Sequence, residues 1–148
     1  MKMNTRVVPG FDISGLPRKV TDALTKAITA HAYDVLAEAN QSIQKGPKTG
    51  VIYKRRGVTH QASAPGEAPA SDTGALVASG RVDPAHVTRY TVAASVTWGV
   101  PYAGWLEKGH VTVNGQHVAP RPYARPAILK LQEKGRERVR DALKEAMQ

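Results

Sequence analysis

Positions 16, 20, 24, 27, 28, 31 and 35, occupied by Leu16, Val20, Leu24, Ala27, Ile28, His31 and Val35, recur at intervals of three or four and share one face of a helix over Pro17 to about Ile43. Pro17 suits the first turn, where its missing N–H has no intrahelical partner, and Gly46-Pro47 supplies a stop. At about 1.5 Å of rise per residue the helix is roughly 40 Å long. Beyond Val35 the stripe drifts. Leu36 and Ile43 rotate away from the early positions, and Asp34 and Glu38 fall where the first half is apolar. The two halves are expected to face different neighbours, one of them another subunit that covers the surplus apolar surface.

The pattern then changes period. "VIYKRRGV", Val51 to Val58, reads as one short β segment that begins apolar and ends in Lys54, Arg55 and Arg56. "THQASAPGEAPASDTG" is dense in Ser, Thr, Pro, Gly and Ala, which predicts an exposed loop, mobile over about 59–72. From Val87 to Trp98, alternating β-branched and aromatic residues predict a strand with Val92, Ala94, Val96 and Trp98 on one face. "PYAGWLEKG" predicts a compact turn or short helix. In "HVTVNGQHVAP" the Asn114-Gly115 pair between Val-rich arms predicts a small exposed hairpin with a type I′ turn. After "RPYARP" a second helix carries Ile128, Leu131, Val139, Leu143 and Met147 on one side and Lys134, Arg136, Arg138 and Arg140 on much of the rest, with Gly135 weakening its middle by about 1 kcal/mol relative to Ala. Helix, strands, helix is the order of an α+β domain: a long N-terminal helix on a small, mostly antiparallel sheet, with a C-terminal helix. There is no internal repeat.

Composition narrows the classes. A chain of 148 residues fits one domain, here 1–148 with residues 1–14 as an N-terminal arm. With one Phe, two Trp and five Tyr, its core must be built mainly from Ala, Val, Leu and Ile. No run approaches the roughly 20 apolar residues of a membrane span, and "MKMNTRVVPG" lacks the apolar stretch of a signal peptide, so a cytosolic site of synthesis and no membrane partner are expected. The absence of cysteine removes disulfides, thiolate nucleophiles and cysteine-based zinc sites. A formal charge of +9 attracts nucleic acid, anionic lipid or an acidic protein face without choosing among them.

Candidate chemistry is sparse. His31, His60, His86, His110 and His117 lack metal-ligand spacing, although His110 and His117 flank the predicted hairpin; His31, on the helix stripe, reads as a packing residue. No G-x-S-x-G elbow or glycine-rich phosphate loop occurs, and Glu107 reads as a surface carboxylate paired with a nearby cation. No catalytic, cofactor or metal residue is therefore assigned. A phosphate-contacting surface built from Lys54, Arg55, Arg56, Arg121, Arg125 and the C-terminal helix is the main alternative. On that helix, Glu133, Glu137, Asp141 and Glu145 stand at spacings suited to pairing with its own Lys and Arg, as on an ordinary solvated face.

Three segments carry a resemblance. "ASAPGEAPASDTGALVASGRV", "WGVPYAGWLEKGH" and "APRPYARPAILKLQ" resemble, in order and spacing, the gene-product-ten-like tail-component family of lambda-like long-tailed phages, relatives of minor tail protein Z. Pro69, Asp72, Thr73, Gly74, Leu76 and Ser79 match the first family pattern; Tyr102, Ala103, Glu107 and Gly109 the second; Arg121, Pro122, Tyr123, Pro126 and Ala127 the third. Tyr123 stands where Phe is usual and His110 where Thr is frequent. The resemblance spans roughly Leu16 to the C-terminus. It implies a structural virion protein, made in the host cytoplasm, that forms a ring at the head–tail junction to complete a tail or join it to a head. It also implies a cyclic homo-oligomer, a hexamer or dodecamer, contacting head-connector, tail-terminator or tail-tube proteins. A tail terminator, a DNA-contacting basic module and an unrecognised hydrolase are the alternatives. Physically, Gly74 and Gly109 are expected to allow positive φ or close approach, and Pro122 and Pro126 to extend the chain leading into the last helix. The 62–71 loop and the Asn114-Gly115 hairpin are expected to contact neighbouring subunits.

Overall fold

The computed structural model describes residues 3–7, 15–89 and 91–148, which form β1 (Met3–Val7), α1 (Arg18–Lys45), β2 (Ile52–Arg55), β3 (Val58–Gln61), α2 (Ala75–Ala78), β4 (Gly80–Val87), β5 (Val92–Trp98), α3 (Ala103–Lys108), β6 (His110–Val111), β7 (His117–Val118) and α4 (Ala124–Ala146). The class is α+β. A three-stranded antiparallel sheet in the order β1-β5-β4 packs on α1, and two separate hairpins, β2-β3 and β6-β7, complete the strands.

The 3.6-residue period of α1 survives folding. Val20, Leu24, Ala27, Ile28, His31, Ala32, Val35, Ala39 and Ile43 are all buried. Pro17 stands one residue outside the helix as its cap, with extended ψ 147°, and its carbonyl accepts the first helical N–H groups from Val20 and Thr21. The drift of the stripe is met within the chain. Leu36 turns to the sheet side, where its Cδ1 lies 2.7 Å from the place a Cβ on Gly80 would occupy. Asp34 and Glu38 turn instead to α4, where Lys134, Arg138 and Lys130 pair with them. A long helix flanked by a sheet on one side and a helix on the other needs two apolar faces, which is what the rotation provides.

Four sequence expectations are corrected. "VIYKRRGV" is not one strand: Arg56 and Gly57, at φ 52° and 80°, make a two-residue turn of the type I′ kind, and Thr59 to Gln61, expected in the loop, pair back as β3. Val87–Trp98 is likewise two strands, broken at Thr88, whose N–H and hydroxyl bond to Thr91; residue 90 lies outside the described residues. β4 is an edge strand that tolerates Pro84 because the register shifts between Asp83 and His86, a bulge where no ladder hydrogen bond is lost. The Asn114-Gly115 hairpin lacks the I′ turn. Only Gly115 has positive φ (77°), and the bonds from Gly115 N–H to the Thr112 carbonyl and from Thr112 N–H to the Gln116 carbonyl define a three-residue loop. β1, within the stretch expected as an arm, is a strand paired along β5; the remainder of that arm lies outside the described residues.

β5 is the centre of the core. Val92, Ala94, Val96 and Trp98 are fully buried, and the Trp98 indole meets the Tyr123 ring edge-on at 5.0 Å while its N–H donates to Asn40 Oδ1 at 3.2 Å. On α4 the contact face is made of small residues, Ala124, Ala127, Gly135 and Ala146, with Ile128, Leu131, Val139 and Leu143 half-buried beside them. Met147, expected on that face, is exposed. Gly135 sits where α4 comes nearest α1: a Cβ there would fall 2.6 Å from the His31 ring. Pro126 lies inside the first turn of α4, not in an extended lead-in, and costs no hydrogen bond there.

Candidate functional site

The second and third motif segments fold onto each other through Glu107. It reaches from α3 to the start of α4, where Oε2 accepts the Tyr123 and Ala124 N–H groups at 2.8 and 3.1 Å and Oε1 accepts that of Arg125 at 2.9 Å. The sequence expectation of a cation-paired surface carboxylate is thereby corrected: Glu107 supplies the acceptors that a helix N-terminus lacks, and its negative charge meets the positive end of the helix dipole. Further ties run alongside. Arg121 N–H donates to the Leu106 carbonyl at 2.7 Å, and the Tyr123 hydroxyl donates to the Ala103 carbonyl at 3.3 Å. Burial pushes the Tyr123 phenol far above its ordinary range, with the neighbouring charges of Glu107 and Tyr102 adding to it. Gly109, at φ 72°, fits its place doubly, since a side chain there would strain the backbone and a Cβ would lie 2.7 Å from the Val118 carbonyl.

The first segment is bound to the same seam. Gly66 N–H donates to the Pro120 carbonyl and Arg121 Nε to the Ser63 carbonyl, so the loop after β3 is stitched to the strand leaving β7. Glu67 accepts from the Thr49 hydroxyl, the Thr49 N–H and the Ala64 N–H, bonds that hold its carboxyl below the usual range. Lys48 donates to the Ala68 and Ser42 carbonyls; burial lowers its ammonium, with Glu67 opposing. The 62–71 segment is thus a tied loop with Ser63 and Pro69 buried, which corrects the picture of a wholly exposed segment. Composition alone gives no sign of these anchors.

Asp72 of the first motif performs a different task. Its carboxylate pairs with Arg55 and lies 3.8 Å from His60 Nδ1, one residue on each strand of the β2-β3 hairpin, while His60 stacks on Tyr53. The motif then closes with Gly74 at φ 76°, buried Leu76, and Ser79, whose hydroxyl caps the Leu76 carbonyl. Among the described residues, no side chain of the hairpin that Asp72 steers belongs to the hydrophobic core. Val51, Ile52, Tyr53 and Val58 are 77%, 64%, 40% and 56% exposed, and Lys54 and Arg56 stand free near its tip.

The other residues singled out by sequence have these places. Arg121 is used internally, its Nε donating to the Ser63 carbonyl, and Arg125 is exposed at the start of α4. Asn114 and Gly115 tip the second hairpin, whose base adjoins the seam holding Gly66 and Ser63. Among the described residues no three His, Asp or Glu side chains are grouped to hold a metal ion, and no helix is long and apolar enough to cross a membrane. On α4 the expected pairing of acids with the helix's own cations is mostly absent: Arg136 pairs with Glu133, but Lys130, Lys134 and Arg138 reach across to α1. Comparison with family models, with curated proteins and with solved structures finds no match.

Proposed function

We propose that this chain is a structural protein of a tailed phage, forming a ring at the head–tail junction that completes the tail or joins it to the head, by association without turnover. One observation carries the reading: the β2-β3 hairpin holds four large apolar side chains in solvent and contributes nothing to the chain's own core. A two-stranded hairpin is marginal by itself in water, and an exposed apolar patch on a folded domain marks a contact with a partner. The motif residues support the same reading, because Glu107, Arg121, Tyr123 and Gly109 are committed to shaping the backbone, and Asp72 to orienting the hairpin. The resemblance to minor tail protein Z-like components supplies the setting.

Deleting the encoding gene from a phage that carries it, and imaging the particles, is the test. Unjoined heads and tails, or tails with defective ends, are expected; normal virions refute the reading. A second reading, contact with the DNA passing through the ring, is favoured by Lys54 and Arg56, which have no acid partner among the described residues. Salt-sensitive retention of the chain on duplex DNA, lost when those two are replaced, distinguishes it.

A further inference from the structure

We propose that the β2-β3 hairpin of one copy seats in the groove between α1 and α4 of a second copy, an inference that rests on the ring reading and names the contact that builds it. The donor surface is the hairpin's exposed apolar set, Ile52 beside Lys54 on one face and Val51, Tyr53 and Val58 on the other, with Arg56 in the turn. Asp72 fixes its direction through Arg55 and His60.

The acceptor is found by accounting for the acids. Asp22, Asp34, Glu38, Asp72 and Glu133 have ion-pair partners within the chain, and Glu67, Asp83 and Glu107 accept hydrogen bonds. Among the described residues, Glu137, Asp141 and Glu145 alone have neither. They stand four residues apart on α4, in one line along the helix. On a chain of net charge +9, three acids in a row without an ion pair among the described residues form a surface complementary to the cations of the chain's own hairpin.

That line edges an open groove of about 850 Å³ between the first turns of α1 and the second half of α4. Its lining includes Ala23, Ala27, Ala142 and Ala146, whose small side chains leave room for larger apolar ones. Lys134 and Arg138 also border it and share the single carboxylate of Asp34. The α1 edge carries Lys19 and Lys26, so the hairpin face bearing Ile52 and Lys54 turns inward, with Lys54 toward the α4 edge and Ile52 over the alanines.

Donor and acceptor are different surfaces of one chain. A contact between them is head-to-tail, repeats from copy to copy, and closes into a ring where the rotation permits. Phosphate would satisfy Lys54 and Arg56 but leave the four apolar side chains without a partner, and this favours a protein occupant.

The test reverses each surface in the full chain and reads its mass in solution by sedimentation velocity and native mass spectrometry. The pair Lys54→Glu with Arg56→Asp is expected to weaken assembly by roughly a hundredfold, and the triple Glu137→Lys, Asp141→Lys and Glu145→Lys likewise, because each sets like charges face to face. Mixed in equal amounts, the two variants are expected to regain rings of alternating copies, a rescue that unfolded protein would not give. Ile52→Asp probes the apolar half of the contact independently and is also expected to release subunits. Native rings that withstand both charge reversals overturn this contact and leave the ring reading standing. Disrupted variants that fail to rescue each other overturn the pairing of these two surfaces. Hairpin variants that keep their rings but lose DNA retention overturn it in favour of DNA contact, and a native chain that stays monomeric overturns contact and ring together.

Discussion

Replacing Glu107 by Ala should unfasten the start of α4. Three N–H groups lose their acceptor, but not at equal cost. Tyr123 and Ala124 are buried, at 1% exposure each, so their N–H groups cannot turn to water without local rearrangement; Arg125 is exposed and rehydrates readily. Each of the two buried donors costs about 1–3 kcal/mol when left unpaired, and the lost attraction between the carboxylate and the helix terminus adds about 0.3–1 kcal/mol. Relief from holding a half-buried carboxylate offsets part of this. The expected net loss is about 2–4 kcal/mol, which for a chain of this size lowers the melting temperature by roughly 5–15 °C. Glu107→Gln keeps one oxygen acceptor without the charge and should lose about half as much. The assay is equilibrium urea unfolding followed by far-ultraviolet circular dichroism and by the fluorescence of buried Trp98. Lys130→Ala serves as the comparison, since its exposed pair with Glu38 is worth under about 1 kcal/mol. If Glu107→Ala unfolds at the same midpoint as Lys130→Ala, the carboxylate does not hold α4 as described.

Three further outcomes follow from the α1-α4 and β5-α4 contacts. Gly135→Ala gains helix propensity but drives a methyl into the His31 ring, and the overpacking should win by about 1–3 kcal/mol in urea unfolding. His31 is held neutral by burial and by Arg138, with Lys134 adding and Asp34 opposing, so its folded value lies below the ordinary 6.5. As pH falls below about 6.5 the unfolded chain takes up a proton that the folded chain refuses, and stability should decline; His31→Gln should flatten that decline below about pH 6.5. Tyr123→Phe removes only the 3.3 Å bond to the Ala103 carbonyl while keeping the edge-on contact with Trp98, and should cost no more than about 1 kcal/mol by thermal melting.

The elements most legible in sequence are those whose side chains report on one dominant neighbour. The face of α1 from Val20 to Val35 and the inward side of β5 follow their periods because each meets a continuous apolar surface. Boundaries set by single backbone bonds are less legible. The Arg56-Gly57 turn asks a non-glycine residue to adopt positive φ, which no composition rule announces, and the Thr88 turn is set by hydroxyl bonds inside a run that reads as continuous strand. The role of Glu107 is long-range: its partners lie 16 to 18 residues away, so only the coming together of two motif segments reveals it. For the same reason the acids of α4 look paired in sequence, where i,i+4 neighbours are visible but the competing carboxylates of α1, Asp34 and Glu38, are not. The tie between Asp72 and the hairpin joins residues 17 apart and is likewise visible only in the fold.

Electron cryomicroscopy of phage particles produced from a genome that carries this sequence tests the proposed ring reading most directly. The account predicts copies of the chain in a closed ring between head and tail, each with its β2-β3 hairpin covered by a neighbour. Particles that are complete and infectious without any copy of the chain would contradict it.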